Sequence, residues 1–174
     1  NVLVSANQGI AVGMASNICS FNLKEVCDTT IALMKNPEHD ILETLPGPDF
    51  STGAELLFDE ATTREIYNNG RGSFKLRAKW HYVKEGNLIE ITEIPYSTAT
   101  EVIMDKVAEL IKVGKIKEIA DMRDETDLGG LKLTIDLKRG ADPEKLMQKL
   151  FRMTTLQDSF PCNFNILIAG MPRV

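Results

Sequence analysis

Apolar and polar residues follow two different periods along this chain, and the changes of period divide it into elements. Residues 1–18 contain Gly9-Ile10-Ala11-Val12-Gly13-Met14-Ala15, an apolar stretch interrupted by glycine and too short for a helix of ordinary length, so strand and tight loop are expected there. Leu23, Val26, Cys27, Thr30, Ile31 and Met34 then recur at helical spacing, with Asn22 able to cap the helix and Asn36-Pro37 to stop it near Lys35. A second short helix follows, ending at Leu45-Pro46-Gly47-Pro48. Residues 59–69 read as another helix, closed by Gly70.

Beyond Gly70 the period falls to two. Phe74, Leu76, Ala78 and Trp80 alternate with Lys75, Arg77, Lys79 and His81 in what reads as one half-buried strand, and Glu85-Gly86-Asn87 turns it into residues 88–94 as a hairpin ended by Pro95. Thr98 and Glu101 have the spacing of a capping box ahead of a Val102, Ile103, Val107, Leu110, Ile111 stripe, which predicts an amphipathic helix up to Gly114. Residues 119–123 suit a short strand, and Leu131, Leu133, Ile135 and Leu137 alternate with polar residues to make a clear one. Asp142-Pro143 opens a helix to about Met153, and residues 165–169 close as a strand. Hairpins mixed with helices, without strict βαβ alternation, predict an α+β fold: an antiparallel or mixed sheet with flanking helices. The proline-bounded linker separates an N-terminal loop and helical part, 1–50, from a sheet lobe, 51–174.

Composition narrows the setting. At 174 residues, 43% hydrophobic and 26% charged, the chain can bury one core or two joined lobes. It has neither the roughly 18-residue apolar run of a membrane span nor a basic leader, so a soluble cytoplasmic protein is expected. Cys19, Cys27 and Cys162 show no Cys-x-x-Cys spacing, which argues against a disulfide framework and a structural zinc site. The opening Asn1-Val2-Leu3-Val4 is strand-like and lacks an initiator methionine, so the chain reads as an excised piece. Net charge is −5, and any contact with nucleic acid must come from a local patch.

The chemistry on offer is sparse. His39 and His81 are the two histidines; neither lies in His-Glu-x-x-His, and no Gly-x-Ser-x-Gly elbow or P-loop occurs, so no catalytic residue and no metal ligand is assigned. His81 reads as the solvent face of a strand. Asp121, Asp124, Glu125 and Asp127 read as a solvated turn, because they lack the calcium-loop spacing. Arg64, Arg71, Lys75, Arg77, Lys79 and Lys84 oppose a single acid, Glu65, between residues 64 and 84. These cations suit either phosphate contact or simple solvation, and Arg71 sits between Gly70 and Gly72, where backbone can approach a phosphate closely. Ile10 is either a core plug or an exposed wedge of the kind that unstacks base pairs; by itself an aliphatic side chain favours the core.

Seven segments in order resemble the A subunits of bacterial type IIA topoisomerases, gyrase and topoisomerase IV. They are Gly9 to Ala15, Pro46-Gly47-Pro48-Asp49-Phe50 with Thr52-Gly53, Gly70-Arg71-Gly72, Glu93-Ile94-Pro95-Tyr96, Lys106-Val107-Ala108-Glu109-Leu110, Arg123-Asp124-Glu125, and Thr155-Leu156-Gln157 with Ser159-Phe160. The resemblance implies part of an ATP-dependent double-strand DNA passage enzyme: the tower region, which holds a bent gate duplex. By position Ile10 matches the family's intercalating isoleucine, and the same resemblance moves Arg71, Lys75, Arg77 and Lys79 toward phosphate contact. It also implies three partners in the intact enzyme: duplex DNA, a second copy of the A subunit, and B subunits. Mg and ATP are then used by the B subunit, with no cofactor in this segment. The attacking tyrosine belongs to a winged-helix domain upstream; Tyr67, Tyr82 and Tyr96 match no catalytic position, and the piece is expected to be inactive alone. Two departures stand out. Ile18-Cys19-Ser20-Phe21-Asn22 replaces the usual Ile-Pro-Pro-His-Asn, and Ser97-Thr98-Ala99-Thr100 replaces Gln-Val-Asn-Lys, losing a lysine. The competing reading is a protein–protein assembly module whose basic strand is merely solvated.

Overall fold

The computed structural model describes all residues, 1–174, and has the α+β character expected, with antiparallel sheets and flanking helices. By packing the chain divides into two units, each assembled from separated segments. The first comprises residues 1–51, 57–74 and 159–174, and the second residues 52–56 and 75–158.

In the first unit, β1 (Asn7–Ala11) and β2 (Met14–Ile18) form an antiparallel hairpin. Helix α1 (Leu23–Lys35) starts as its sequence dictates, the Asn22 side chain accepting from the Lys24 and Glu25 amides. Helix α2 (Ile41–Thr44) is capped by Asp40. Helix α3 (Glu60–Asn69) is capped by Asp59 and ends on Gly70, whose φ of 65° is the left-handed conformation that closes many helices. The apolar interior gathers Ile18, Phe21, Leu45, Phe50, Ile66 and Phe160, all buried. Phe50 and Phe160 stack with centroids 5.0 Å apart, and Phe21 lies 6.1 Å from Tyr67. Burial holds the Tyr67 phenol well above its usual range, and its hydroxyl donates to the Leu45 carbonyl at 2.9 Å. Cys19 and Cys162 are buried free thiols; their mutual hydrogen bond, then burial, push the Cys19 thiol far up.

Between residues 70 and 83 the structure corrects the sequence reading. The single strand expected there is two: β4 (Arg71–Arg77) and β5 (Lys79–Val83). The break falls at fully buried Ala78, whose amide donates to the Leu156 carbonyl at 2.7 Å instead of to a ladder partner. A short β3 (Glu55–Leu56) pairs with the end of β4, Glu55 opposite Arg77.

The second unit is built on a four-stranded antiparallel sheet, ordered β5-β6-β8-β7, where β6 is Leu88–Glu93, β7 Ile119–Asp124 and β8 Leu133–Leu137. Ile89 pairs with Ile135 and Ile91 with Leu133, so one face of the sheet carries a buried aliphatic layer. Helices α4 (Thr100–Lys112) and α5 (Pro143–Met153) cover it with Ile103, Val107, Leu110, Leu146, Met147 and Leu150. Val102 and Ile111, counted in the apolar stripe, lie on the exposed flank of α4. The expected capping box does not form: α4 begins after Ala99 with no side-chain cap, and the Thr98 hydroxyl instead pairs with that of Thr155 at 2.6 Å. In α5, by contrast, Asp142 caps and Pro143 occupies the first turn as predicted.

The opposite face of this sheet is polar. Glu90 lies between His81, 2.8 Å away, and Lys132, 3.1 Å away, and these partners, Lys132 foremost, hold its carboxyl below the ordinary range. His81 is therefore on the exposed strand face, as its alternation required.

Two further strands lie outside the expected pattern. β9 (Gln157–Asn163) turns Phe160 and Cys162 inward while Pro161 faces out, and the closing strand is really a hairpin of β10 (Ile166–Ile168) and β11 (Met171–Arg173). In the first unit the strands run β1-β2-β9-β4.

Leu150 is fully buried beneath the sheet. Leu150→Ala is expected to destabilise the chain by about 2–5 kcal/mol, measured by urea denaturation. Exposed Gln148, two residues away, is expected to tolerate alanine within about 0.5 kcal/mol.

Candidate nucleic-acid interface

The β1–β2 hairpin has an unusual distribution of apolar surface. Every residue of β1 is exposed, and Ile10 and Val12 are 87% and 108% exposed, values that belong to side chains with almost nothing packed on them. The chain reverses at Val12-Gly13, where Gly13 has φ 82° and supplies the left-handed conformation a tight turn needs. Ile10 stands opposite Ala15 in the ladder.

Apart from buried Ile18 at the end of β2, what fixes the hairpin to its unit is polar. Its only ladder pair with β9 is Asn17 with Asn163. Around that pair the Asn17 side chain donates to the Pro161 carbonyl, and the Ser16 hydroxyl donates to the Asn165 carbonyl at 2.8 Å. Asn163 and Asn165 both donate to the Ala15 carbonyl, at 2.9 and 2.6 Å. None of these residues stood out in the sequence; the one available signal was the Asn163-Phe164-Asn165 repeat, whose outer residues fall on one side of an extended chain.

The basic residues singled out from the sequence are not brought together as one face. In the first unit Arg71 is exposed. Its flanking glycines serve internal packing: a Cβ on Gly70 would meet the Val174 side chain at 2.7 Å, and one on Gly72 the Ile66 side chain at 2.5 Å. Arg64, counted in the same basic segment, is bound by both oxygens of Asp40 at 2.9 Å and by Glu60 at 3.0 Å, and these carboxylates raise its already high pKa.

In the second unit Lys75 is exposed on β4, and Lys79, beyond the break at Ala78, is exposed on β5 of the other sheet. Arg77 is only part-exposed. Its guanidinium donates twice to the Gln157 side-chain oxygen, at 3.0 and 2.8 Å, and lies 4.7 Å over the Phe151 ring. Arg77 is thus a packing residue of this unit, and the alternating Lys75, Arg77, Lys79 row is broken at two points.

Several loops that carry basic residues meet at one end of the four-stranded sheet. The Lys138 amide donates to the Glu118 carbonyl at 2.8 Å, the Leu137 amide to the Asn87 carbonyl at 3.0 Å, and Lys149 pairs with Glu118. These contacts gather Lys84, Lys115, Lys117, Lys138, Arg139 and Lys145, all exposed. Of the acids nearby, Glu118 is held by Lys149 and Asp142 by the amides of α5, while Glu85 beside Lys84 and Glu144 beside Lys145 are exposed. The sequence hid this surface because its lysines come from three segments some thirty and twenty residues apart.

The acidic turn resolves as loop chemistry. Asp124 accepts from the Thr126 amide at 3.0 Å and Asp127 from the Gly129 amide at 2.7 Å. Tyr67 and Tyr82 likewise spend their hydroxyls internally, Tyr82 on Asn87 at 2.9 Å. No helix is long and apolar enough to cross a membrane.

For this two-unit α+β chain with its bare apolar hairpin, comparison with known proteins supplies the class. The model of the family formed by the A subunit of DNA gyrase/topoisomerase IV matches residues 1–174, so this chain belongs to that family. It is 41% identical to the DNA gyrase A subunit of Halalkalibacterium halodurans, across all of this chain and 21% of that one. It is 43% identical to the DNA gyrase A subunit of Metamycoplasma arthritidis, across all of this chain and 20% of the relative. A probable chloroplastic/mitochondrial DNA gyrase A subunit of Oryza sativa is 38% identical, over all of this chain and 19% of its own length. The chain therefore spans about a fifth of the length of the curated relatives it matches.

The geometry separates Arg77 from its neighbour. Arg77→Ala is expected to cost about 1–3 kcal/mol in stability, from two charge-assisted hydrogen bonds and a ring contact, whereas Lys75→Ala stays within about 0.5 kcal/mol. Equal melting midpoints for the two variants in thermal denaturation would show that Arg77 is not anchored as described.

Proposed function

We propose that this chain is the DNA-bending part of a type II topoisomerase A subunit, and that its β1–β2 hairpin pushes Ile10 between base pairs of the duplex that the intact enzyme cuts. The observation that carries this reading is the 87% exposure of Ile10 on a strand with no buried residue. A β-branched side chain held in water at a hairpin tip contributes nothing to a core, so its use lies in what it meets. Wedging such a group into a base step costs a few kcal/mol of unstacking and leaves a kink, and the bend lets the protein cover more of the duplex backbone. Exposed Arg71, Lys75 and Lys79, with the lysine-rich end of the second unit, offer cations to phosphates despite a net charge of −5.

Cutting and rejoining, on this reading, are done elsewhere in the intact enzyme: paired A subunits bring the attacking tyrosine, and B subunits the ATPase and the metal. The role of this segment is to bind, bend and orient. Its three free thiols suit a reducing compartment such as the cytoplasm.

A second reading has its own support. On α1, Leu23, Ile31 and Met34 are 61%, 50% and 81% exposed beside exposed Cys27, an apolar stripe suited to protein contact. An assembly role for α1 is compatible with a DNA role for the hairpin; an assembly role for the whole chain is not.

In the full-length A subunit in complex with its B subunit, Ile10→Ala is expected to reduce DNA bending and double-strand cleavage by tenfold or more, on the order of the unstacking energy lost, with the melting temperature unchanged. Bending measured by fluorescence transfer across an end-labelled duplex that matches the parent would sink the wedge. In the same complex, replacing Lys75 and Lys79 with alanine should weaken binding to all sequences and lower the slope of log affinity against log salt by about one to two. An unchanged slope would assign these lysines to solvation and favour the assembly reading.

A further inference from the structure

We infer that Asn163 and Asn165 are positioning residues for Ile10: they hold the hairpin at the angle from which the wedge enters DNA, by gripping the backbone directly opposite it. The inference rests on the wedge reading and adds to it the device that lets the wedge bear load.

The argument starts from what the hairpin lacks. A two-stranded hairpin is marginal in water unless a third strand or an apolar face supports it. Here β1 is exposed throughout, Ala15 on β2 is exposed as well, and β9 contributes a single ladder pair at Asn17 and Asn163. Neither packing nor a ladder fixes the half of the hairpin that carries Ile10. Side-chain amides do this instead.

The Ala15 carbonyl has two lone pairs, and both are used: the Asn163 carboxamide donates at 2.9 Å and the Asn165 carboxamide at 2.6 Å. Asn165 also donates to the Asn163 side-chain oxygen at 3.0 Å, which ties the two carboxamides into one unit, and its own carbonyl accepts from the Ser16 hydroxyl at 2.8 Å. Ala15 is the cross-strand partner of Ile10. The polar clamp therefore closes on the residue facing the wedge, and a force driving Ile10 backwards is passed across the ladder to Ala15 and into β9. A hairpin free to swivel at its base would yield before the base step opened.

Asparagine suits this task because it donates and accepts from a short side chain with little freedom to lose. Aspartate has the same shape but no donor, so Asn163→Asp with Asn165→Asp turns carboxylate oxygens toward a carbonyl that can only accept. The doubly substituted full-length A subunit, in complex with its B subunit, is compared with parent and with Ile10→Ala on two duplexes: one intact, one carrying a short single-stranded gap at the bending step. Bending is read by fluorescence transfer, cleavage by gel, and folding by thermal melting.

Support is a fall of about tenfold in bending and cleavage on the intact duplex, the scale of one hydrogen bond lost under load, with recovery on the gapped duplex, where no unstacking is needed, in a protein that thermal melting shows to be folded at the assay temperature. Bending equal to the parent on the intact duplex overturns the inference. So does a defect that persists on the gapped duplex, since that marks a general structural role. If Ile10→Ala bends the intact duplex as the parent does, the wedge reading itself falls, whatever the asparagines do.

Discussion

The second unit depends on one aliphatic layer. Ile89, Ile91, Leu133 and Ile135 are fully buried on adjoining strands, and neither α4 nor α5 would hold its place without it. Helices of 13 and 11 residues are marginal by themselves in water, so their stability comes from the faces they bury there. Once that face is committed, the strands' other face must be polar, and the His81, Glu90 and Lys132 cluster follows from the alternation alone. The loops at the sheet end then collect the charges that helix and strand termini leave over.

The first unit solves a different problem with a smaller interior. Its aromatic contacts and buried thiols hold α1, α2 and α3 to the strands, but the β1–β2 hairpin enters this interior only through Ile18 at the end of β2, and nothing apolar reaches the half that carries Ile10. Amides and hydroxyls carry the attachment instead. That division is consistent with the exposure of the element: an apolar tip with nothing packed on it cannot also be the group that anchors it.

How much of this could be read beforehand depended on whether local residues decided the outcome. Asn22 and the Asp142-Pro143 pair set the starts of α1 and α5 through contacts within one turn, and both were legible. The break at Ala78 was not, because the amide that causes it bonds to Leu156, seventy-eight residues away, and no glycine or proline marks the spot. Thr98 had the spacing of a cap yet found Thr155 instead. β9 was masked by Pro161 and by its polar content. Among the candidate site residues, Ile10 in isolation pointed to a core, and only the resemblance to the topoisomerase A subunits pointed outward, while the engagement of Arg77 with Gln157 and Phe151 had no local signature. The segmented packing of the two units is likewise a long-range result, since residues 57–74 and 159–174 join the N-terminal stretch through strands that meet only in space.

The buried break at Ala78 has a consequence for how this sequence tolerates change. Strands of period two fail most readily by slipping one residue, which turns every side chain to the wrong face. In an unbroken ribbon from Arg71 to Val83, a slip started at the Lys84–Asn87 turn would run its whole length. With the Ala78 amide committed elsewhere, the two strands are registered independently, so errors and insertions in the distal hairpin are insulated from the strand that carries Arg71 and Lys75. The outer turn can thereby change length without a shift of register reaching the cations upstream.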